Sequence, residues 1–253
     1  MLWSNSLLKD KRILITGASS GIGRACAILC SQLGSQVIVC GRDEKRLAET
    51  HAALSGEGHT RFTFELTSEE QIEEKLCTLK GTKPVSGFIH CAGIERTNPL
   101  KTICMDDFSE MFKINVASAV VISKYLAKPG FYDKQGMSIV LISSVSGLMG
   151  EKGKTEYSAS KSALTGLTRS LALELSSKQI RVNSICPAMV KSEMLDRMFQ
   201  NLPEESVQSI RSKHLLGIPE SEDVANLSAY LVSDLSRFIT GTCLLIDSGY
   251  SIS

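Results

Sequence analysis

The sequence predicts an α/β fold: one domain built on a parallel β-sheet with helices on both faces. Three observations lead there. Seven short β-rich runs alternate with longer helical patterns, the order that βαβ units impose. The runs are almost continuously apolar rather than alternating, as expected for strands covered on both sides. No repeat, low-complexity tract or linker divides the 253 residues, of which 43% are hydrophobic, so a single domain spanning 1–253 with a large core is expected.

Taken in order, "RILIT" is the first strand and "GRACAILCSQLG" the helix after it. Between them Gly17, Gly21 and Gly23 form G-x-x-x-G-x-G. Glycines there permit a tight turn and let backbone approach a pyrophosphate, and the helix start adds N–H groups and a positive dipole end. "QVIVC" is the second strand, followed by Gly41, Arg42 and the helical "EKRLAETHAAL". "RFTFEL", "SGFIHC", "SIVLIS", "IRVNSIC" and "TCLLID" supply the other strands, with "SEEQIEEKLCTLK", "MDDFSEMFKINVASAVVISKYLA" and "YSASKSALTGLTRSLALELSSK" as helices between them. Residues 188–220 read least like a strand and interrupt the alternation before the last helix and strand. A long excursion at that place is a candidate substrate lid.

Composition narrows the function. A net charge of +1 supplies no basic surplus for nucleic acid or an anionic membrane. The eight cysteines include no C-x-x-C, and the four histidines are scattered, so no metal site is expected. Cysteines in apolar runs such as "VIVCG" and "NSICP" read as reduced core residues of a reducing compartment. The N-terminus "MLWSNSLLKDKR" lacks a cationic start and an apolar h-region. No apolar run approaches the roughly 20 residues of a membrane span. A soluble cytoplasmic protein is the expectation.

In "TEYSASK", Tyr157 precedes Lys161 by four residues, which puts phenol and ammonium on one helix face among small neighbours. With "TGASSGIG" upstream, this "YSASK" resembles the cofactor loop and the Tyr-x-x-x-Lys of the short-chain dehydrogenase/reductase family. "KINVASAV", "ISSVSGLMGEKGKTEYSASKSALTGLTRSLALEL", "IRVNSICPAMVKSEM" and "ITGTCLLIDSGY" look most like the 3-oxoacyl-carrier-protein reductase type. The resemblance runs from about Lys11 to the end. It implies a Rossmann fold, doubly wound around a seven-stranded parallel sheet of order 3-2-1-4-5-6-7.

It also implies roles. Counting thirteen residues back from Tyr157 places the family's serine at Ser144 rather than Ser143, and Asn115 of "KINV" matches its asparagine. Tyr157 would exchange a proton with the substrate oxygen, Ser144 would orient that oxygen, and Lys161 would hold the ribose and lower the phenol's pKa together with an oxidised nicotinamide. Asn115 would hold a relay water. The cofactor would meet Gly17, Ser19, Ser20, Gly21, Ile22 and Gly23 at its phosphates, and Glu65 and Leu66 near the adenine. Ala92 and Gly93 would pass under the ribose, and Pro187, Val190 and Ser192 would hold the carboxamide. Where a carboxylate would select NAD, this chain has Gly41 and then Arg42, so NADP(H) is favoured, with NAD(H) the alternative. Departures from the family pattern are His90 for Asn, Ala188 for Gly, Glu65 for Asp and Ser192 for Thr; His90 reads as a satisfied core residue. Met149, Met189, Met194, Leu195, Met198 and Phe199 suggest a partly apolar, adaptable pocket wall. Lys134 and Lys178 lie near where the carrier-protein reductases carry docking residues. A carbonyl or secondary-alcohol substrate is expected, carrier-bound or a sugar, polyol or other ketone; a cofactor-binding regulator without turnover is the reading from another class. A homotetramer with two-fold axes is implied as well.

Overall fold

The computed structural model describes residues 4–253, apart from the side chains of Glu193, Met194 and Arg197. Seven parallel strands form one sheet in the order β3-β2-β1-β4-β5-β6-β7. They are β1 (Arg12–Thr16), β2 (Gln36–Gly41), β3 (Thr60–Thr63), β4 (Gly87–His90), β5 (Met137–Ile142), β6 (Ile180–Pro187) and β7 (Cys243–Ile246). The expected order is the observed one, and each strand falls where its apolar run stands. β3 is shorter than "RFTFEL" suggests: it is an edge strand, and only the Phe64 N–H continues the pairing, to Gly41 O at 3.2 Å, before the chain turns off at Glu65.

Strand side chains alternate between faces, and each face has its own helices. Leu14, Ile38, Phe88, Ile139 and Leu141 pack under α3 (Glu69–Cys77), α5 (Ser118–Leu126) and α6 (Thr155–Leu175). Ile13, Ile15, Val37, Val39 and Val140 pack under α1 (Gly21–Gln32), α2 (Glu44–Ala52) and α9 (Ser221–Val232). This explains why the strands read as unbroken apolar runs: neither face meets water. The excursion 188–220 contains two further helices, α7 (Glu193–Gln200) and α8 (Glu204–Lys213).

The long pattern 105–127 is interrupted. α4 (Met105–Phe112) and α5 are joined by a π-helical turn, Lys113–Ala117, with Asn115 inside it. A π-turn carries an extra residue between helical turns of unchanged periodicity, so hydrophobic spacing does not reveal it. All eight cysteines are free thiols. Cys26, Cys30, Cys40 and Cys186 are buried, whereas Cys77 and Cys104 are exposed. No helix of the described residues is long and apolar enough to cross a membrane.

Candidate active site

The strands' carboxyl ends open into a cleft of about 650 Å³, the usual ligand position in an open parallel sheet. Its first wall is the loop after β1. Gly17 has φ +66°, and a Cβ there would come within 2.8 Å of Ala92 N; at Gly23 a Cβ would lie 2.3 Å from Gly17 O. The glycines hold the loop flat against the neighbouring strand end and against itself. Ser20 caps α1 without a side-chain hydrogen bond, and no acidic residue occupies the first turn, so the positive end of the helix is not neutralised.

Beyond β2, Arg42 is exposed at the cleft rim and Arg46 also lines the cleft. Asp43 commits Oδ1 to the Arg46 backbone N–H at 3.0 Å, capping α2. Arg46, four residues after Arg42 and one helical turn away, is a second cation the sequence analysis missed. Glu65 and Leu66 border the same end, with Glu65 exposed.

At the other end α6 carries Tyr157 and Lys161. Lys161 is 5% exposed, and its Nζ donates to Ile142 O at 2.8 Å and lies 5.7 Å from the Tyr157 ring centre. Burial lowers its pKa to about 8. The protein alone shifts the Tyr157 hydroxyl upward. Burial raises its pKa, the nearby Glu95 and Glu151 carboxylates add to that, and only Ser144 pulls it down. Lys161 is turned to a backbone carbonyl, so the protein's own side chains hold the phenol protonated.

The two serines after β5 have separate places. Ser143 donates its hydroxyl to Lys161 O at 2.8 Å and so joins the sheet to α6. Ser144 faces the cleft, where its Oγ accepts the Ser146 N–H at 3.1 Å and has only long contacts, 3.3 and 3.5 Å, for its own proton. Asn115 is fully buried behind Gly93. Its Oδ1 accepts from Ile94 N at 2.8 Å, and its Nδ2 donates to Ile94 O and Ser160 Oγ, both at 3.0 Å. Of the predicted site residues, Asn115 alone does not line the cleft.

His90 braces β4 to β1 through Nδ1 and Thr16 Oγ1, 2.9 Å apart, while its buried Nε2 has no hydrogen-bond partner. Burial lowers its pKa to about 3, so the ring is neutral and only half satisfied. Pro187, Val190 and Ser192 line the cleft, and the Ser192 hydroxyl also caps α7 by accepting from Leu195 N at 3.2 Å. Of the expected apolar wall, Met189, Leu195 and Met198 line the cleft and Met149 and Phe199 do not; the Met194 side chain lies outside the described residues. The same cleft is lined by Glu95, Thr97, Glu151 and Lys154, which no motif announces.

A family described as Enoyl-(Acyl carrier protein) reductase matches residues 17–251. A 3-oxoacyl-[acyl-carrier-protein] reductase of Rickettsia prowazekii is 34% identical, over 96% of this chain and 97% of that one. The chain is a short-chain dehydrogenase/reductase. Its likeness to other members of that family extends to a human (3R)-3-hydroxyacyl-CoA dehydrogenase, 31% identical over 96% of each chain. Two solved structures agree. A short-chain type dehydrogenase/reductase from Mycobacterium ulcerans superimposes with a TM-score of 0.89 at 25% identity, covering 97% of this chain and 91% of that one. The aldohexose dehydrogenase of Thermoplasma acidophilum does so with 0.86 at 28% identity, covering 99% and 97%. Short-chain dehydrogenase/reductases are nicotinamide-dependent oxidoreductases, and the residues here fit such a dinucleotide: a flat loop that a Cβ would fill, an uncapped helix start, and Lys161 across the cleft.

Proposed function

We propose that this short-chain dehydrogenase/reductase interconverts a ketone and a secondary alcohol with NADP(H), using Tyr157 as proton donor and acceptor. The observation that carries the reading is that Ser144 after β5, and Tyr157 and Lys161 on α6, line the same cleft as the glycine loop. When bound, the nicotinamide supplies or takes up the hydride. In reduction, the Tyr157 hydroxyl gives its proton to the carbonyl oxygen. Ser144 donates a hydrogen bond to the same oxygen, which it can do because its Oγ accepts from Ser146 N and commits its own proton only to long contacts. Lys161 keeps one N–H on Ile142 O and turns the others to the ribose hydroxyls. Both side-chain donors of Asn115 are spent, so a relay water would fall to its backbone carbonyl, which also acts on the His90 ring. In oxidation the raised phenol pKa has to come down, and the positive charge of an oxidised nicotinamide acts in that direction.

Arg42 beside Gly41 supports NADP, because Asp43 is occupied as a helix cap and Arg46 adds charge at the same rim. The phosphate contacts fall to Ser19, Ser20 and Ile22, and Ala92 and Gly93 underlie the ribose. The excursion 188–220, with α7 and α8, serves as the lid of a single domain. The relatives' names make a 3-oxoacyl thioester the first substrate to test. Lys134 is an exposed candidate for carrier docking, but Lys178 already donates to Ala127 O at 3.0 Å. Exposed Val120 and Leu173 on α5 and α6, and Phe238, Leu245 and Ile252 towards the C-terminus, support pairing of copies into a tetramer.

The test is a panel of ketones and alcohols assayed with NADPH and NADH, repeated with Tyr157→Phe. The variant should fold and bind cofactor while turnover drops by roughly 10²-fold or more. Near-normal turnover in Tyr157→Phe sinks the proposal.

A further inference from the structure

We propose that the substrate is a small hydroxyl-rich ketone or secondary alcohol, sugar- or polyol-like, recognised by a charged wall of Glu95, Glu151 and Lys154. This rests on the functional reading above for the reacting carbon and goes on to the rest of the molecule. Lys154 Nζ is ion-paired with Glu95 Oε1 and donates to Thr97 Oγ1 at 2.6 Å. Its charge is therefore already balanced, and one of its three N–H groups is left over. Glu151 accepts from the Ser146 hydroxyl through Oε2 and from the Tyr250 hydroxyl through Oε1 at 3.2 Å. A carboxylate has about four acceptor positions, so both glutamates keep capacity towards the cleft. Both also lie close enough to the reacting phenol to raise its pKa. Arg96, the next cation along, is committed to Asp107 and Glu110.

Two carboxylates against one ammonium leave the wall with a net negative charge. That repels a substrate carrying phosphate or carboxylate next to its carbonyl. An acyl chain laid on the wall would strip water from both carboxylates and return no hydrogen bonds. Hydroxyls next to the carbonyl do return them: each donates to a glutamate and can accept the spare Lys154 N–H. Met189, Leu195 and Met198, which line the same cleft, offer an apolar surface suited to the C–H face of a compact ring or short chain. One polar and one apolar wall match a hydroxylated ring or chain, not an extended acyl thioester.

The experiment compares matched probes on the wild-type enzyme. 2-Hydroxycyclohexanone, cyclohexanone and acetoacetyl-CoA are reduced with NADPH; D-glucose and sorbitol are oxidised with NADP⁺. The expected result is a higher kcat/KM for 2-hydroxycyclohexanone than for cyclohexanone or acetoacetyl-CoA. Glu95→Gln and Glu151→Gln should each lower kcat/KM for the hydroxylated ketone about 10-fold relative to cyclohexanone, as for loss of one charged hydrogen bond, the change in cyclohexanone itself reporting what each charge does to Tyr157. A merely structural role would move both ketones together. Should Glu95→Gln fail to fold, the wild-type ratio and Glu151→Gln decide. A preference for cyclohexanone or acetoacetyl-CoA, unchanged in the variants, overturns this inference and leaves the oxidoreductase reading intact. No turnover of any probe by enzyme that binds NADPH overturns that reading, and this inference with it.

Discussion

Replacing Lys161 by Met should make the protein more stable while abolishing its use of cofactor. The ammonium is 5% exposed, and burial lowers its pKa from 10.5 to about 8. That difference corresponds to about 3 kcal/mol against the charged form at neutral pH. Methionine has nearly the same volume and no charge, but it loses the 2.8 Å hydrogen bond to Ile142 O, a loss of about 1–1.5 kcal/mol. A net gain of about 1–2 kcal/mol raises Tm by about 2–8 °C for a chain of this size. The pH dependence is the sharper signature. Between pH 8 and 10.5 the unfolded lysine binds a proton that the folded one has released, so wild-type stability rises with pH across that window. The variant's advantage should be full below pH 8 and gone near 10.5. Thermal melts of both proteins from pH 7 to 10.5 measure it. Saturating NADPH, at about 100 times its Kd, should add about 2.7 kcal/mol to the wild type and little to the variant. Coincident melts at pH 7, or curves that stay parallel to pH 10.5, would refute the argument that this ammonium is buried at a cost.

Further outcomes are expected elsewhere in the molecule. Arg42→Ala should weaken NADPH binding about 10-fold, the loss of a charge-assisted contact at an exposed rim, and leave NADH affinity unchanged in titrations of cofactor fluorescence. Equal effects on both cofactors would dissociate Arg42 from the 2′-phosphate. Sedimentation should find a tetramer, and Leu173→Glu on the exposed face of α6 should reduce it to smaller species. A concentration-independent monomer in the wild type would remove the case for assembly.

The strands and the glycine loop were readable because their causes are local. An unbroken apolar run follows from burial on both faces, and the glycines at 17 and 23 answer contacts that leave no room for a Cβ. The charged wall was not readable. Glu95 and Lys154 are 59 residues apart in the chain, and Glu151 and Tyr250 are 99 apart; no periodicity joins them. The expected wall was partly apolar, and Met189, Leu195 and Met198 do line the cleft, but nothing in the spacing placed two carboxylates and an ammonium beside them. Part of the Tyr157 environment was not readable for a related reason. Spacing on the helix brought Lys161 close, but it could not say that Nζ turns to Ile142 O or that two carboxylates from other loops face the phenol. Arg46 needed only the helix start, one turn beyond Arg42, and could have been found.

Ser143 and Ser144 show what strand geometry does for chemistry. Side chains on consecutive extended residues point to opposite sides, so the Ser143 hydroxyl fastens α6 while that of Ser144 lies beside Ser146, where the proposed reaction would use it. No rotamer change can exchange them. Only a slip of one residue in the pairing of β5 could do so, and it would exchange Ile139 and Leu141 with Val140 and Ile142 between two closely packed faces. The hydroxyl's aim is therefore protected by the whole hydrophobic core. A mutation that loosens β5 would misdirect the reaction before it unfolded the protein, and activity would report slippage in the sheet earlier than any measurement of global stability.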